Sequence, residues 1–390
     1  MRSIKEKMSL SSKELTGFLG KSNRTMFDCS YEEQKGLLDK LGPAIDDFDR
    51  SFKQYKCHCL FQSRGYLLCM NVLSFLMLPF LILYALVHCP FIRRQCGNYD
   101  AIAADGLIAR LPHELQGKYT ILTQDISYDK VALRFKDILF PVKLFLKYPL
   151  HSFFVLKVTF KVSYYSYIFY KYSPQVMLVM NEYSYTSSVL TAFCEKYGVK
   201  HIDIMHGEKF FYIYDSYFRY HECWIWNDHY KKLFIAMQAD PEQFHISIPP
   251  ILRIDCDKYH NSALYADYKY YLQIFNEKQI QKVVKAMMAL KSKGSTIMIR
   301  PHPIWSDVDL LKKYIGEEYI EDPKKVSIME SIANTKYAVA SFSTVLNQAY
   351  YSGKGVILDD VAFLEQYQKL KSLWYPLIDM GAPKLSDFCS

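Results

Sequence analysis

Short apolar runs separated by helical spacers, recurring from residue 100 to near the end of the chain, limit the fold more than any other feature of this sequence. Asp100 to Ala104, Tyr119 to Thr123, Val176 to Met180, His201 to Met205 and Cys223 to Trp226 are too short for core helices. Runs of this kind with helices between them predict strands of a parallel sheet covered on both faces. The segment Ile248-Pro249-Pro250 breaks the alternation and is expected to act as a hinge. Beyond it the pattern resumes with helix Glu277 to Lys293, strand Thr296 to Ile299, helix Asp307 to Tyr314, strand Tyr337 to Ala340, helix Val345 to Tyr351 and strand Gly355 to Leu358. At 390 residues, half of them hydrophobic, the chain is too long for one compact core. Three parts are expected: a helical region over 1–95, in which helix Tyr31 to Leu41 stops at Gly42-Pro43, a first Rossmann-like domain over 96–248, and a second over 249–390.

Three strand ends carry chemistry. The run Thr296-Ile297-Met298-Ile299 meets Arg300-Pro301-His302-Pro303, so a cation and an imidazole are held rigidly at a carboxyl end, where open α/β sheets bind ligands. The strand to Ala340 runs into Ser341-Phe342-Ser343-Thr344 and then a helix, which offers hydroxyls and free N–H groups to an anion. Arg300, His302, Ser341, Ser343 and Thr344 are therefore candidate ligands of a diphosphate or a phosphodiester. In the first block, His201 to Met205 ends in His206-Gly207-Glu208, with Gly207 available for a sharp turn. His206 suits proton abstraction near neutral pH, and Glu208 can orient it or act in its place. Glu182 and Asp105, at equivalent strand ends, are the alternative bases or acceptor ligands. Taken singly, each of these motifs also has a structural reading as a turn or helix cap.

Residues 66–92 are almost wholly apolar, broken by Asn71, Ser74, Pro79 and His88 and closed by Arg93-Arg94. The length suffices to cross a bilayer, but basic residues flank both ends, so no outer end is named. An interfacial or re-entrant helix bent at Pro79 and a buried helix of the first domain are the two readings. Between Asp129 and Tyr172, eight Lys/Arg and two acids are interleaved with thirteen Phe and Tyr, a composition suited to an anionic membrane surface. The net charge of +8 is modest for the length and forms no nucleic-acid motif, so no nucleic acid is expected as partner. Ten scattered cysteines suit reduced thiols and a cytoplasmic setting. Cys57-His58-Cys59 is spaced too tightly for zinc, and both Asp-x-Asp sequences, Asp255-Cys256-Asp257 and Asp307-Val308-Asp309, lie off strand ends; no metal and no other cofactor is expected.

In order along the chain, His206-Gly207, Ile251-Leu252-Arg253-Ile254-Asp255, Arg300-Pro301-His302-Pro303, and Ser341 to Thr344 followed by Gly353-Lys354-Gly355 resemble the motifs of CDP-glycerol glycerophosphotransferases. The His-Pro and Ser/Thr motifs are also similar to those of bacterial sialyl- and polysialyltransferases and other capsule glycosyltransferases. The resemblance spans roughly 175–360, and the two alternating blocks are expected to form a GT-B type fold, two Rossmann-like domains facing a cleft, with the apolar segment making the N-terminal region partly membrane-associated. The resemblance implies His206 as base and His302 with Ser341 to Thr344 as donor-phosphate ligands. Met205 stands where the glycerophosphotransferases carry Trp, and Ala340 where they carry an acid, which favours a sugar over glycerol phosphate. Ala104-Asp105-Gly106 only partly matches the acidic motif of the sialyltransferases. The resulting expectation is an inverting, metal-independent glycosyltransferase at the cytoplasmic membrane face, extending a capsule, exopolysaccharide or lipopolysaccharide chain. Its partners would be a CMP-, CDP- or UDP-linked sugar, a glycan or lipid-linked acceptor, and the membrane surface. A polyol-phosphate transferase, a nucleotide-sugar 2-epimerase and a non-catalytic membrane scaffold are the alternatives.

Overall fold

A computed structural model describes residues 24–95, 97–104, 106–124 and 130–389. Among the described residues, ten strands form two all-parallel sheets, so the α/β class read from the alternation is what the chain adopts. The first contains β1 (Ala101–Ala104), β2 (Ile121–Gln124), β3 (Val176–Val179), β4 (Lys200–Ile204), β5 (Glu222–Ile225) and β6 (Phe244–Ile246), in the order β2-β1-β3-β4-β5-β6. The second contains β7 (Ala266–Tyr271), β8 (Ile297–Arg300), β9 (Thr335–Ala340) and β10 (Gly355–Leu358), in the order β10-β9-β7-β8. Two Rossmann-like units in one chain, after a helical N-terminal region, give the GT-B type make-up expected above. One unit runs to His206 and resumes over Tyr212–Ser247; the other takes Gly207–Phe211 and continues from Ile248.

Strand burial explains the apolar runs. In β1 and β3, Ala101, Ala103, Val176 and Leu178 enter one core, while Ile102 and Met177 enter the other. Each strand therefore needs apolar side chains at odd and even positions alike, which removes the polar alternation of a half-wet strand. In each sheet the chain reverses direction of travel at its first strand: β2 and β3 flank β1, and β8 and β9 flank β7. The carboxyl ends beside such a reversal leave room for a ligand.

Two strands lie outside the expected set. β6 is a three-residue edge strand, and β7 reads Ala-Asp-Tyr-Lys-Tyr-Tyr. The charge in β7 concealed it. Lys269 is wholly buried and pairs with Glu321 at 2.7 Å, and Glu321 pairs also with Arg300 at 2.7 Å. Burial pushes the Lys269 ammonium down, while Glu321 opposes that shift.

Helix caps follow sequence rules. Gly42 ends helix Tyr31–Leu41 with φ 64°, a conformation cheap only for glycine. Asn276 with Gln279 and Ser327 with Glu330 form reciprocal capping boxes.

The N-terminal helices belong to the first unit. Helix Asp47–Cys59 packs on helix Ser187–Lys196, and Ser51 Oγ accepts from Val189 N at 3.0 Å. His58 stacks on Tyr214 in this core, and burial lowers its pKa to about 3, so it is a neutral core residue. The apolar segment is one helix, Arg64–His88, continued by a short turn to Phe91 and by length and composition able to cross a membrane. One stripe, Asn71, Ser74, Leu78, Ile82 and Ala85, recurs at helical spacing on its inner face. Phe153 N donates to Asn71 Oδ1 at 3.0 Å, Leu133 N to Ala85 O at 2.9 Å, and His88 Nδ1 lies 2.7 Å from Val131 O. The other side exposes Leu68, Val72, Leu76, Phe80, Leu83 and Val87 by more than half.

The basic and aromatic stretch divides into two parts. Helix Ser152–Tyr172 buries Phe153, Phe154, Tyr164, Tyr165, Tyr167, Phe169 and Tyr172 beneath the first sheet, so these rings are core rather than a membrane belt. Only the preceding helix, Leu139–Lys147, and its flanks leave apolar groups in solvent, namely Phe135, Leu139, Val142, Leu146 and Leu150.

Candidate functional site

Two rims of residues stand at strand carboxyl ends, one in each unit. In the first unit, β3 and β4 pair with Val179 opposite Asp203. Continuing that register by three residues sets Glu182 level with His206. His206 Nδ1 lies 2.7 Å from Glu182 Oε1, with the imidazole 40% exposed and the carboxylate fully buried. A carboxylate accepts, so Nδ1 carries a proton, and in the neutral imidazole it is Nε2 that has the lone pair. This is the arrangement of a general base held in one tautomer by an acid. Further contacts fix it: Arg110 donates to His206 O, Asn181 N to Asp203 Oδ1 at 2.7 Å, and Gln54 Nε2 to Glu182 O at 3.1 Å. The Tyr183 ring meets the imidazole edge-on at 5.3 Å.

Glu208 is not the partner of His206. It belongs with the second unit, where Asn347 and Tyr375 donate to its Oε1. Burial pushes its carboxyl up to about 8, against those two hydrogen bonds. Gly207 has no positive φ, and a Cβ there would meet nothing within 4 Å, so the turn does not need glycine. Asp105 lies outside the described residues.

In the second unit the rim is made by the loops after β7, β8 and β9. His302 Nδ1 accepts from the backbone N–H groups of Ile304 and Trp305 at 3.1 and 3.2 Å. The ring proton therefore sits on Nε2, a neutral donor. Ser306 Oγ accepts from His302 N and donates to Gln273 O, and Gln273 Nε2 donates to Phe342 O at 2.6 Å. Gln273, absent from the sequence reading because β7 itself was not read, thus laces the loops together. Ser341 follows β9 directly, Ser343 caps helix Thr344–Tyr351 by accepting from Val345 N at 3.3 Å, and Thr344 is exposed. An anion here would meet hydroxyls, an imidazole N–H and the positive end of a helix.

Arg300 has a different task from the one expected. Its guanidinium is 7% exposed, ion-paired with Glu321 and bonded to Val326 O at 2.9 Å. It braces the loop after β8 from beneath, leaving the exposed rim to His302. Asp307 caps helix Val308–Lys312 through Leu310 N, and Asp255 accepts from Lys258 N, the structural roles expected of both Asp-x-Asp sequences.

No protein-family model matches the sequence, and no curated protein matches it. Solved structures similar to the chain include Methanocaldococcus jannaschii UDP-GlcNAc 2-epimerase in complex with UDP-GlcNAc and UDP, at 12% identity and TM-score 0.40, covering 73% of this chain and 87% of that one. A variant of the wall teichoic acid polymerase TagF is similar at 9% identity and TM-score 0.41, covering 88% of each chain. A glycosyltransferase from Rickettsia africae is similar at 12% identity and TM-score 0.35, covering 68% of this chain and 80% of that one. Likenesses this distant decide nothing about the chemistry, which rests on the two rims.

Proposed function

We propose that the protein is an inverting, metal-independent glycosyltransferase that moves a sugar from a nucleotide-activated donor to a hydroxyl of a lipid-linked or growing surface glycan. The His206–Glu182 pair carries the reading. Nε2 of His206 takes the proton of the acceptor hydroxyl as the oxygen attacks the anomeric carbon, and Glu182 stabilises the imidazolium that forms. The bond to the nucleotide breaks on the opposite face, which inverts the carbon. The negative charge left on the phosphate is met by His302 Nε2–H, by Ser341, Ser343 and Thr344, and by the amino end of the helix that Ser343 caps. Such a set answers charge without a cation.

The exposed face of helix Arg64–His88 supports seating on the cytoplasmic membrane surface. Its inner stripe is bonded to the first unit from Asn71 to His88, about 25 Å of helix at 1.5 Å per residue. A helix held along that length lies in the plane of a leaflet more readily than across it. A nucleotide-sugar 2-epimerase acting on a soluble sugar would have no use for this face.

The test is release of nucleotide from CMP-, CDP- and UDP-sugars in the presence of lipid-extracted acceptor, with the anomeric configuration of the product read by NMR. One donor is expected to turn over with inversion, and His206→Ala to abolish turnover without weakening nucleotide binding. Full turnover in His206→Ala would overturn the assignment of the base.

A further inference from the structure

The first unit contains a second feature that neither rim uses. A cavity of about 40 Å³ lies at the carboxyl ends of β1 and β3, beneath the start of helix Ser187–Lys196. At 10–15 Å³ per water it has room for about three waters or one small charged head group. Its polar lining includes Lys161, Tyr165, Asn181, Ser187 and Tyr220.

Several observations leave donors of this lining unsatisfied. Ser187 Oγ and the Tyr220 hydroxyl, 1% and 2% exposed, have no hydrogen-bond partner. Groups so placed destabilise the fold unless something fills the space between them. Helix Ser187–Lys196 has ten residues, and the Thr186 side chain makes no capping bond to it, although Ser51 satisfies Val189 N–H from outside the cavity. Lys161 has no acidic partner among the described residues, and burial together with Lys157 lowers its pKa. Asp203 and Glu182 act on Tyr220 by charge, but their hydrogen bonds go elsewhere: Asp203 accepts from Asn181 N and Cys223 Sγ, and Glu182 faces His206. His201 does not supply charge, since burial lowers its pKa to about 3 and its ring bonds Tyr165 and Thr191.

We propose that this cavity is an oxyanion subsite in which Lys161, Ser187, Tyr220 and the amino end of helix Ser187–Lys196 hold a phosphate or carboxylate of the acceptor. A cation, two hydroxyls without a hydrogen-bond partner and a helix amino end line one cavity, and among the described residues no carboxylate is hydrogen-bonded to them. The assignment to the acceptor rests on the transferase reading, because the cavity belongs to the same unit as His206. The acceptor would then be an anionic glycan or a glycosyl phosphate rather than a neutral sugar.

The test is a thermal-unfolding titration of the full chain with inorganic phosphate and, separately, acetate, for wild type, Lys161→Met and His302→Ala. At least one anion should raise the melting temperature of wild type and of His302→Ala alike, and Lys161→Met should need at least tenfold more of it for the same shift. Whichever anion acts tells phosphate from carboxylate. Without anion, Lys161→Met should melt no lower than wild type, because it removes a partly buried cation lacking a partner. Should that variant fail to fold, Ser187→Ala deletes a single hydroxyl and should raise the anion requirement at least threefold. No stabilisation of wild type by either anion, or an equal response in the substituted protein, overturns the subsite. Nucleotide titration of the same samples separates the two ideas: nucleotide binding without an anion effect removes the subsite alone, and an anion effect without nucleotide binding removes the transferase alone.

Discussion

His206 and His302 stand at the same kind of position, the carboxyl end of a buried parallel strand, and are wired in opposite ways. His206 donates a hydrogen bond from Nδ1–H to a buried carboxylate, so its outer nitrogen can act as a base with a counter-charge ready for the imidazolium. The Nδ1 of His302 accepts from two backbone N–H groups, so its outer nitrogen carries a proton and gaining a second one would break the turn. Equal residues at equal places in a fold thus receive different chemistry from the partner of the inner nitrogen. One is arranged to take a proton and the other to donate a hydrogen bond without changing charge.

The difference can be broken most severely at the acids behind each rim. Glu321→Ala would leave Lys269 and Arg300 as buried cations without an anion, and should cost about 3–5 kcal/mol of stability by denaturant unfolding. Retained stability would mean that Arg300 is free to serve the rim as a ligand. Glu182→Gln keeps the shape of its side chain but cannot stabilise an imidazolium. Turnover should fall roughly 10²-fold, within the usual span of acid–base contributions, while nucleotide affinity stays within twofold. An equal loss in affinity and turnover would show that the pair is scaffold.

A smaller effect is expected at the helix cap of the second rim. Ser343→Ala should cost about 1 kcal/mol of stability and weaken nucleotide binding more than it slows a saturated reaction. A loss of stability with unchanged binding would place the phosphate elsewhere.

Acid and alkali should also separate the two units. His58 and His201 titrate near 6.5 when unfolded but near 3 when folded, so their contribution is complete above pH 6.5 and is lost as pH falls toward 3. Glu208 is raised from 4.5 to about 8, so its contribution is complete below pH 4.5 and is lost as pH rises toward 8. The melting temperature of Glu208→Gln should therefore fall less than that of wild type between pH 5 and 8. Parallel curves would show that Glu208 is ionised in the folded protein.

The sequence made the sheets legible because strands covered on both faces must be apolar throughout, and the helices legible through their caps. It hid β7, whose Lys269 reads as a surface residue until Glu321, fifty-two residues later, is seen to pair with it. It also favoured Glu208 over Glu182 as the partner of His206 because Glu208 is two residues away. Parallel strand pairing brings residues twenty-four apart to the same level, and no local pattern announces that register. The aromatic stretch before Tyr172 failed for a related reason: rings suited to a membrane interface are equally suited to a core, and neighbouring strands decide between them. In the His302 turn the structural reading holds, and the same capping bonds leave the ring proton on Nε2, as the proposed phosphate contact requires.

The most direct measurement is calorimetric titration of CMP, CDP, UDP and GDP into detergent-purified full-length chain, wild type beside His206→Ala and His302→Ala. One nucleotide should bind wild type and His206→Ala with affinities within twofold, and His302→Ala at least tenfold more weakly, about 1.4 kcal/mol. Equal binding by all three proteins, or a loss in His206→Ala as large as that in His302→Ala, would contradict the division of labour between the two histidines.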